Sequence, residues 1–359
     1  MYTRSHPVLF ALLAAGRRRT VTRIGGALLV HGSDAYRRAL TRVPLDRTAA
    51  GTTGGAARDV SVGGTLFDQE GTGHRDTRRA VAASLGASGV ERLRPVWREV
   101  LARRLVPLGT GGTVDLVPLA RELAGATVRG LLDASGDPER LAEAAARVAA
   151  AAVREHLPGP RPAGAVRAVA AATARLEDLL AGDATGGSGE SALRAMLAVA
   201  AVNTTVAALP RAVAWCADAQ LWDQAADDRL RPVLVGELLR VIAPSPLLPR
   251  VAAADAVLDG CPVRAGDRLI LVARHAARAH TDPPDAHHPA PPAVAQLVFG
   301  AGNHACPGAR LARAQLDDTL AALVPYRPTV VRARVDRGAA LPGWRSLTVR
   351  GTTGAGEER

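Results

Sequence analysis

A chain of 359 residues with 48% hydrophobic content can bury a sizeable core in one large domain or two smaller ones. Aromatics make up only 3%, so Ala, Leu and Val fill that core, a composition that favours helix and predicts a mainly α protein, to which the strand patterns below add a small β region. The net charge of +11 comes with 45 basic residues that are all arginine, yet they are scattered, with no interleaved aromatics and no nucleic-acid-binding motif, so no nucleic-acid partner is expected.

The first apolar run, residues 8–15, is too short to span a bilayer. Arg17, Arg18 and Arg19 follow it rather than precede it, the wrong order for a secretory signal. It reads as a core-facing element of a cytoplasmic monomer with no membrane partner. Three cysteines, an odd number, fit a reducing cytosol. Cys216 sits in a helical pattern and Cys261 beside a hairpin; both read as structural.

Residues 20–31 predict two short strands around Gly25-Gly26, and Ser33 or Asp34 caps a helix through Leu40. Residues 46–66 lack periodicity and read as a loop. His74 and Arg78 stand four apart on one helix face, by itself an ordinary solvated face. Amphipathic helices follow at 90–105, 116–132 and 138–153, divided by turns at 109–112 and 135–136. A loop at 158–162, a helix at 165–180 and a Gly/Ser break at 183–189 come next. Residues 192–215 form one long apolar helix carrying Asn203-Thr204-Thr205, with Pro210 expected to kink it or end it early. Polar side chains there either bond back to the preceding turn or are placed to act. Glu237 and Arg240, three apart within 234–241, are ordinarily a surface pair of small energetic weight. A Pro-rich bend at 244–249 leads to Arg250, strands surround Gly260 and Gly266, and 281–293 is a loop. His280, His287 and His288 lack regular metal-ligand spacing.

The most informative stretch is Phe299-Gly-Ala-Gly-Asn-His-Ala-Cys-Pro-Gly308, which runs into helical periodicity at Ala309, Ala312, Leu316, Leu320 and Leu323. Pro307 suits a first helical position, and a thiol at a helix N-terminus is held as thiolate by the dipole and unpaired N–H groups. A phosphate loop is excluded because the chain has no lysine, and a dinucleotide turn because the third glycine is misplaced. A structural zinc site lacks a second ligand pair. A lone cysteine is usually inert packing. The full pattern, Phe-x-x-Gly-x-His-x-Cys-x-Gly, resembles the haem-binding loop of the cytochrome P450 family at every fixed position.

That resemblance runs from about residue 20 to 350 and implies a single haem domain over residues 1–350, a disordered tail over 351–359, and haem b as cofactor. It implies that Cys306 is the proximal iron ligand, with Phe299 shielding the sulfur and Gly308 giving close approach. His74, Arg78, Arg250 and His304 correspond to propionate-holding positions. Thr204 corresponds to the alcohol of the oxygen-binding groove, and Asn203 stands where the family usually carries an acid. Glu237 and Arg240 correspond to a buried pair bracing the haem loop, with His287 or His288 standing in for its missing third partner. Residues 46–66 correspond to the segment over the haem face, the lid region looks trimmed, and the tip of a terminal hairpin within 341–349 lines the substrate pocket. The implied activity is a monooxygenase for a small organic molecule, tailoring a secondary metabolite, with separate ferredoxin and ferredoxin reductase as electron donors. Asn203 keeps open an oxidase that couples, dehydrogenates or cyclises without inserting oxygen, and the trimmed lid a non-catalytic haem-binding scaffold.

Overall fold

In the computed structural model, the described residues are 7–352, apart from 53, 56–57, 59–65, 67, 70, 157–163 and 182–187. Residues 53, 56–57 and 59–65 of the expected loop at 46–66, the loop at 158–162, most of the break at 183–189 and most of the expected tail therefore lie outside the described residues.

Helix α1 (Pro7–Gly16) leads into the hairpin β1 (Val21–Ile24) and β2 (Ala27–Val30), turned at Gly25 with φ 57°. Helix α2 (Ser33–Thr41) follows. Its N-cap is Gly32 and not a side chain, because the Ser33 hydroxyl donates instead to the Ala276 carbonyl at 2.6 Å. A Cβ on Gly32 would lie 2.9 Å from Thr20, so only glycine fits this crossing. β3 (Leu45–Asp46) closes the first region.

Helices α3 (Gly71–Ser84), α4 (Ala87–Arg104), α5 (Leu116–Leu132), α6 (Pro138–His156) and α7 (Ala165–Leu180) then follow, with the short strand β4 (Thr113–Asp115) between α4 and α5. Asp115 caps α5 by accepting from the Val117 N–H, and the same oxygen accepts from Leu347 N–H in the last strand. One carboxylate thus starts a helix and pins the C-terminal sheet to it.

Helix α8 (Ser188–Asp218) runs 31 residues without a break, so Pro210 does not end it. A proline inside a helix costs about 3 kcal/mol. Burial of Ala207, Leu209, Ala212, Val213 and Cys216 around it offsets that cost. By length and apolar content α8 alone among the described helices could cross a membrane, but here it is the axis of the core, packed by α5, α6, α7 and the helices that follow.

After α9 (Trp222–Ala226) and α10 (Arg231–Ile242) come β5 (Leu248–Ala252), the hairpin β6 (Ala256–Leu258) and β7 (Cys261–Val263), β8 (Arg268–Leu271), and the short helices α11 (Ala273–Ala276) and α12 (Pro292–Ala295). Helix α13 (Ala309–Leu323) precedes the terminal hairpin β9 (Thr329–Asp336) and β10 (Gly343–Arg350). Among the described residues the main sheet is ordered β1-β2-β8-β5-β3, with β2 and β8 parallel; β4-β10-β9 and β6-β7 are separate. The mainly α expectation, with its small β region, holds.

Two polar clusters inside this fold escaped the sequence reading. Asp318 on α13 accepts from Arg94 Nε at 2.8 Å, Arg98 at 2.7 Å and the fully buried Trp97 indole at 2.9 Å, all on α4. Burial alone would raise its pKa, but these donors outweigh it and hold the carboxyl below the usual range. Asp318→Ala should destabilise the chain by about 3 kcal/mol, read from the urea midpoint, because two arginines and an indole lose their shared acceptor.

The second cluster is His31 and His275, whose Nδ1 atoms are 2.8 Å apart, with the tilted His280 ring centred 4.8 Å from that of His275. Burial first, then the charge of neighbouring groups, pushes His31 down to about 4 and His275 to about 3. Both are neutral in the folded chain, while the unfolded chain takes up protons below pH about 6.5. Stability should therefore be full above that pH and fall as pH drops towards 4, by about 1.4 kcal/mol per unit for each histidine. Urea titrations at stepped pH check this, and His275→Leu should flatten the acid limb. His287 and His288 are exposed, and His288 bonds Asp285.

Candidate active site

The loop before α13 is built by two positive-φ glycines, Gly300 (76°) and Gly302 (70°), which fold it back so that the Cys306 N–H donates to the Phe299 carbonyl at 2.7 Å. Helix α13 begins at Ala309 with Gly308 as N-cap, so Pro307 stands one position before the cap and not at the first helical position. The Gly308 N–H points to the sulfur. Cys306 is exposed to the cavity and enclosed by protein on its other sides. Burial, the largest influence, pushes the thiol up, against the pull of the Gly308 N–H, Arg78 and Arg313. Burial thus works against the ionisation that the dipole and donors favour at this position, and a metal on the sulfur would favour the thiolate. The Arg313 guanidinium lies 4.5 Å over the Phe299 ring and donates to Gln296, fixing that aromatic beside the sulfur.

Cys306, Phe299, His304 and Gly308 line a cavity of about 310 Å³ together with His74 and Arg78 from α3, Arg250 from β5, and Thr204 from α8. The His74 and His304 rings stack with centroids 4.1 Å apart. Arg47, which the sequence reading passed over, joins them at the end of β3. Cations crowd here: burial, then Arg47, His74, Arg250 and Arg78, push His304 down to about 3, while burial and Arg47 push Arg250 down to about 10. Enclosed positive charge of this density calls for anions. A flat group carrying two carboxylates and a thiolate-binding metal meets each requirement, so the residues fit haem b.

On α8, Thr204 faces the cavity and donates back to the Ala200 carbonyl at 2.8 Å, which leaves its oxygen free to accept. Asn203 is not among the cavity-lining residues. Its amide donates to the Val199 carbonyl at 2.8 Å and to Ala145 on α6 at 3.4 Å. These bonds direct its amide to the backbone of α8 and α6 and not into the cavity. Gln315 on α13 also lines the cavity; its amide donates to Thr127 on α5. Lining residues Leu131, Met196, Leu197, Ala201, Ala208 and Leu239 make the remaining wall largely apolar. No residue of the terminal hairpin tip lines the cavity, although Gly343 approaches Ala207 on α8.

Behind the loop, Glu237 and Arg240 are 1% and 0% exposed, far from a surface pair. Arg240 bonds Glu237 at 2.5 Å and donates to the carbonyls of Ala277, Arg278, Asp282 and Pro283, and Glu237 accepts from the Ala290 N–H. The third partner is thus backbone, not His287 or His288.

The Cytochrome P450 family profile matches residues 230–326. Vitamin D3 dihydroxylase of Streptomyces griseolus is 41% identical over 108 residues, 29% of this chain and 27% of that protein. The 20-oxo-5-O-mycaminosyltylactone 23-monooxygenase of Streptomyces fradiae is 37% identical over 103 residues, 28% of this chain and 24% of that protein. The matched stretch is thus about a quarter of each relative's length. The fold match is end to end: P450BioI, solved in complex with acyl carrier protein ligated with hexadec-9Z-enoic acid, superposes with a TM-score of 0.80 at 19% identity over 98% of this chain and 100% of that one. With the cysteine loop, the enclosed cations and this fold in one molecule, residues 230–326 match the cytochrome P450 family and the whole chain has the fold of cytochrome P450 structures, a family whose cofactor is thiolate-ligated haem b.

Proposed function

We propose that the chain is a haem-thiolate monooxygenase that hydroxylates or epoxidises a small, largely apolar organic molecule. One observation carries this reading: Cys306, Thr204 and the enclosed cations all line a single cavity whose walls are otherwise largely apolar. Bound haem supplies the dioxygen activation that no side chain can provide. Cys306 holds the iron, and Arg47, Arg78, Arg250, His74 and His304 hold the propionates. Phe299 screens the sulfur, and Gly308 supplies it with a backbone N–H donor. Thr204, its hydroxyl proton committed to Ala200, accepts a hydrogen bond at Oγ1 and keeps a proton-bearing water within the site. The apolar wall orients substrate by exclusion of water.

A role in tailoring secondary metabolites in the cytoplasm, with electrons from a separate ferredoxin and ferredoxin reductase, completes the proposal. The name of one relative, a 20-oxo-5-O-mycaminosyltylactone 23-monooxygenase, supports the first part. Turnover with those partners under oxygen-18 gas tests the reading: label in the product is expected. Thr204→Val should lower product formed per electron pair while leaving substrate binding unchanged. A second reading, an oxidase that couples or dehydrogenates without oxygen insertion, draws on Asn203, which brings no acid to the cavity. Unlabelled, dehydrogenated or coupled product would select it.

A further inference from the structure

We propose that helix α1 seats the protein peripherally on an anionic phospholipid surface. The helix reads Pro-Val-Leu-Phe-Ala-Leu-Leu-Ala-Ala-Gly, without one polar side chain. Its inner face is accounted for, since Phe10 and Leu13 are buried against Val272 and pack with Leu29 and Leu247. Its outer face is not: Val8 is 72% exposed, Leu12 65% and Leu9 37%, with Ala11 and Ala15 exposed beside them. Among the described residues nine large hydrophobics are exposed, and this one ten-residue helix holds three of them, whereas the rest stand singly. A surface helix that is apolar all round needs a second apolar medium on its outer side.

Charge selects the medium. Arg17, Arg18 and Arg19 follow the helix directly, all are exposed, and none pairs with an acid among the described residues. Residues 7–33 carry four arginines and no Asp or Glu, Asp34 being the first. The fourth, Arg23, is already committed to Asp267. An apolar face with unpaired cations at its end matches the two layers of an anionic membrane surface, acyl chains beneath and phosphates above. Ten residues span about 15 Å, far short of a bilayer, so the helix lies on the surface and does not cross it. A second copy of this chain would bring like charges together, and an acidic protein would satisfy the arginines while leaving Val8 and Leu12 without an apolar partner.

Co-sedimentation of the full-length holoprotein with vesicles tests this. Binding is expected to vesicles of phosphatidylcholine mixed with phosphatidylglycerol, to fall with added salt, and to be absent with phosphatidylcholine alone. Replacing Arg17, Arg18 and Arg19 by Gln should lower the partition about five-fold per charge. Val8→Asp with Leu12→Asp should abolish binding and leave the haem spectrum and urea midpoint unchanged, since both side chains are exposed. Equal binding to neutral vesicles, binding that survives either set of substitutions, or no binding at low salt would overturn the proposal. So would sedimentation velocity showing that the helix instead mediates a dimer broken by the same substitutions.

Discussion

Arg240→Ala should unfold the chain at far lower urea than the parent, with a loss of about 3–5 kcal/mol. The guanidinium is fully buried, and its donors are spread over Glu237 and four carbonyls from residues 277 to 283. Truncation strands a buried carboxylate and uncaps those carbonyls together, which is the costly way to break such a pair. Glu237→Ala should cost a similar amount, because it leaves the cation buried instead. The double variant should then cost much less than the sum, since each single change already removes the shared contact. The effect should also reach the haem. Glu237 accepts from Ala290, two residues before α12, and the segment from there to Phe299 positions the cysteine loop. Haem occupancy at fixed protein concentration should drop in parallel with the urea midpoint. A surface pair would give under about 1 kcal/mol and no change in occupancy, so the two outcomes are well separated.

What could be read from the chain alone depended on how local the determining physics is. The ranges of α5 and α7 follow from periodicity between turn-rich breaks, and the first hairpin follows from Gly25-Gly26, because each signal lies inside its own element. The cysteine loop was legible for the same reason: two positive-φ glycines, a histidine and a thiol sit within ten residues. Errors arose where distant residues decide. Ser33 is a good capping residue by type, but the Ala276 carbonyl, far along the chain, takes its hydroxyl. Pro210 is a helix breaker by type, but the packing of five buried neighbours on α8 overrides it. The ionisation of Cys306 looked settled by its position before a helix, yet burial by elements from across the chain works against it. Arg47 was hidden among 45 basic residues, with no spacing to mark it; only the fold brings it to Arg250 and His304. Asn203 illustrates the converse. Sequence adjacency placed it beside Thr204, while helical rotation turns it towards Ala145 and away from the cavity.

Cys306→Ala should abolish the red-shifted carbon-monoxide Soret band that a thiolate ligand gives, and with it oxygen-inserting turnover. The fold should survive. The side chain is open to the cavity, so losing one sulfur costs little packing, and the Cys306 N–H to Phe299 carbonyl bond that closes the loop belongs to the backbone. Haem retention should fall but not vanish, because the propionate side of the cavity keeps Arg47, Arg78, Arg250, His74 and His304. Retained haem with a non-thiolate spectrum would therefore separate the two halves of the site, sulfur for the iron and cations for the carboxylates. Adding Arg250→Ala to Cys306→Ala should then release most of the remaining haem, since Arg250 is a cavity-lining cation whose pKa burial and Arg47 push down, so an anion in the cavity favours its charge. An unchanged thiolate spectrum in Cys306→Ala would remove the assignment of this residue. Cys216 offers no substitute ligand, being fully buried on α8 with its thiol pushed up to about 12 by burial and absent from the cavity wall. Cys261, at the start of β7, is likewise not among the residues lining the cavity. The spectrum thus reports on Cys306 alone.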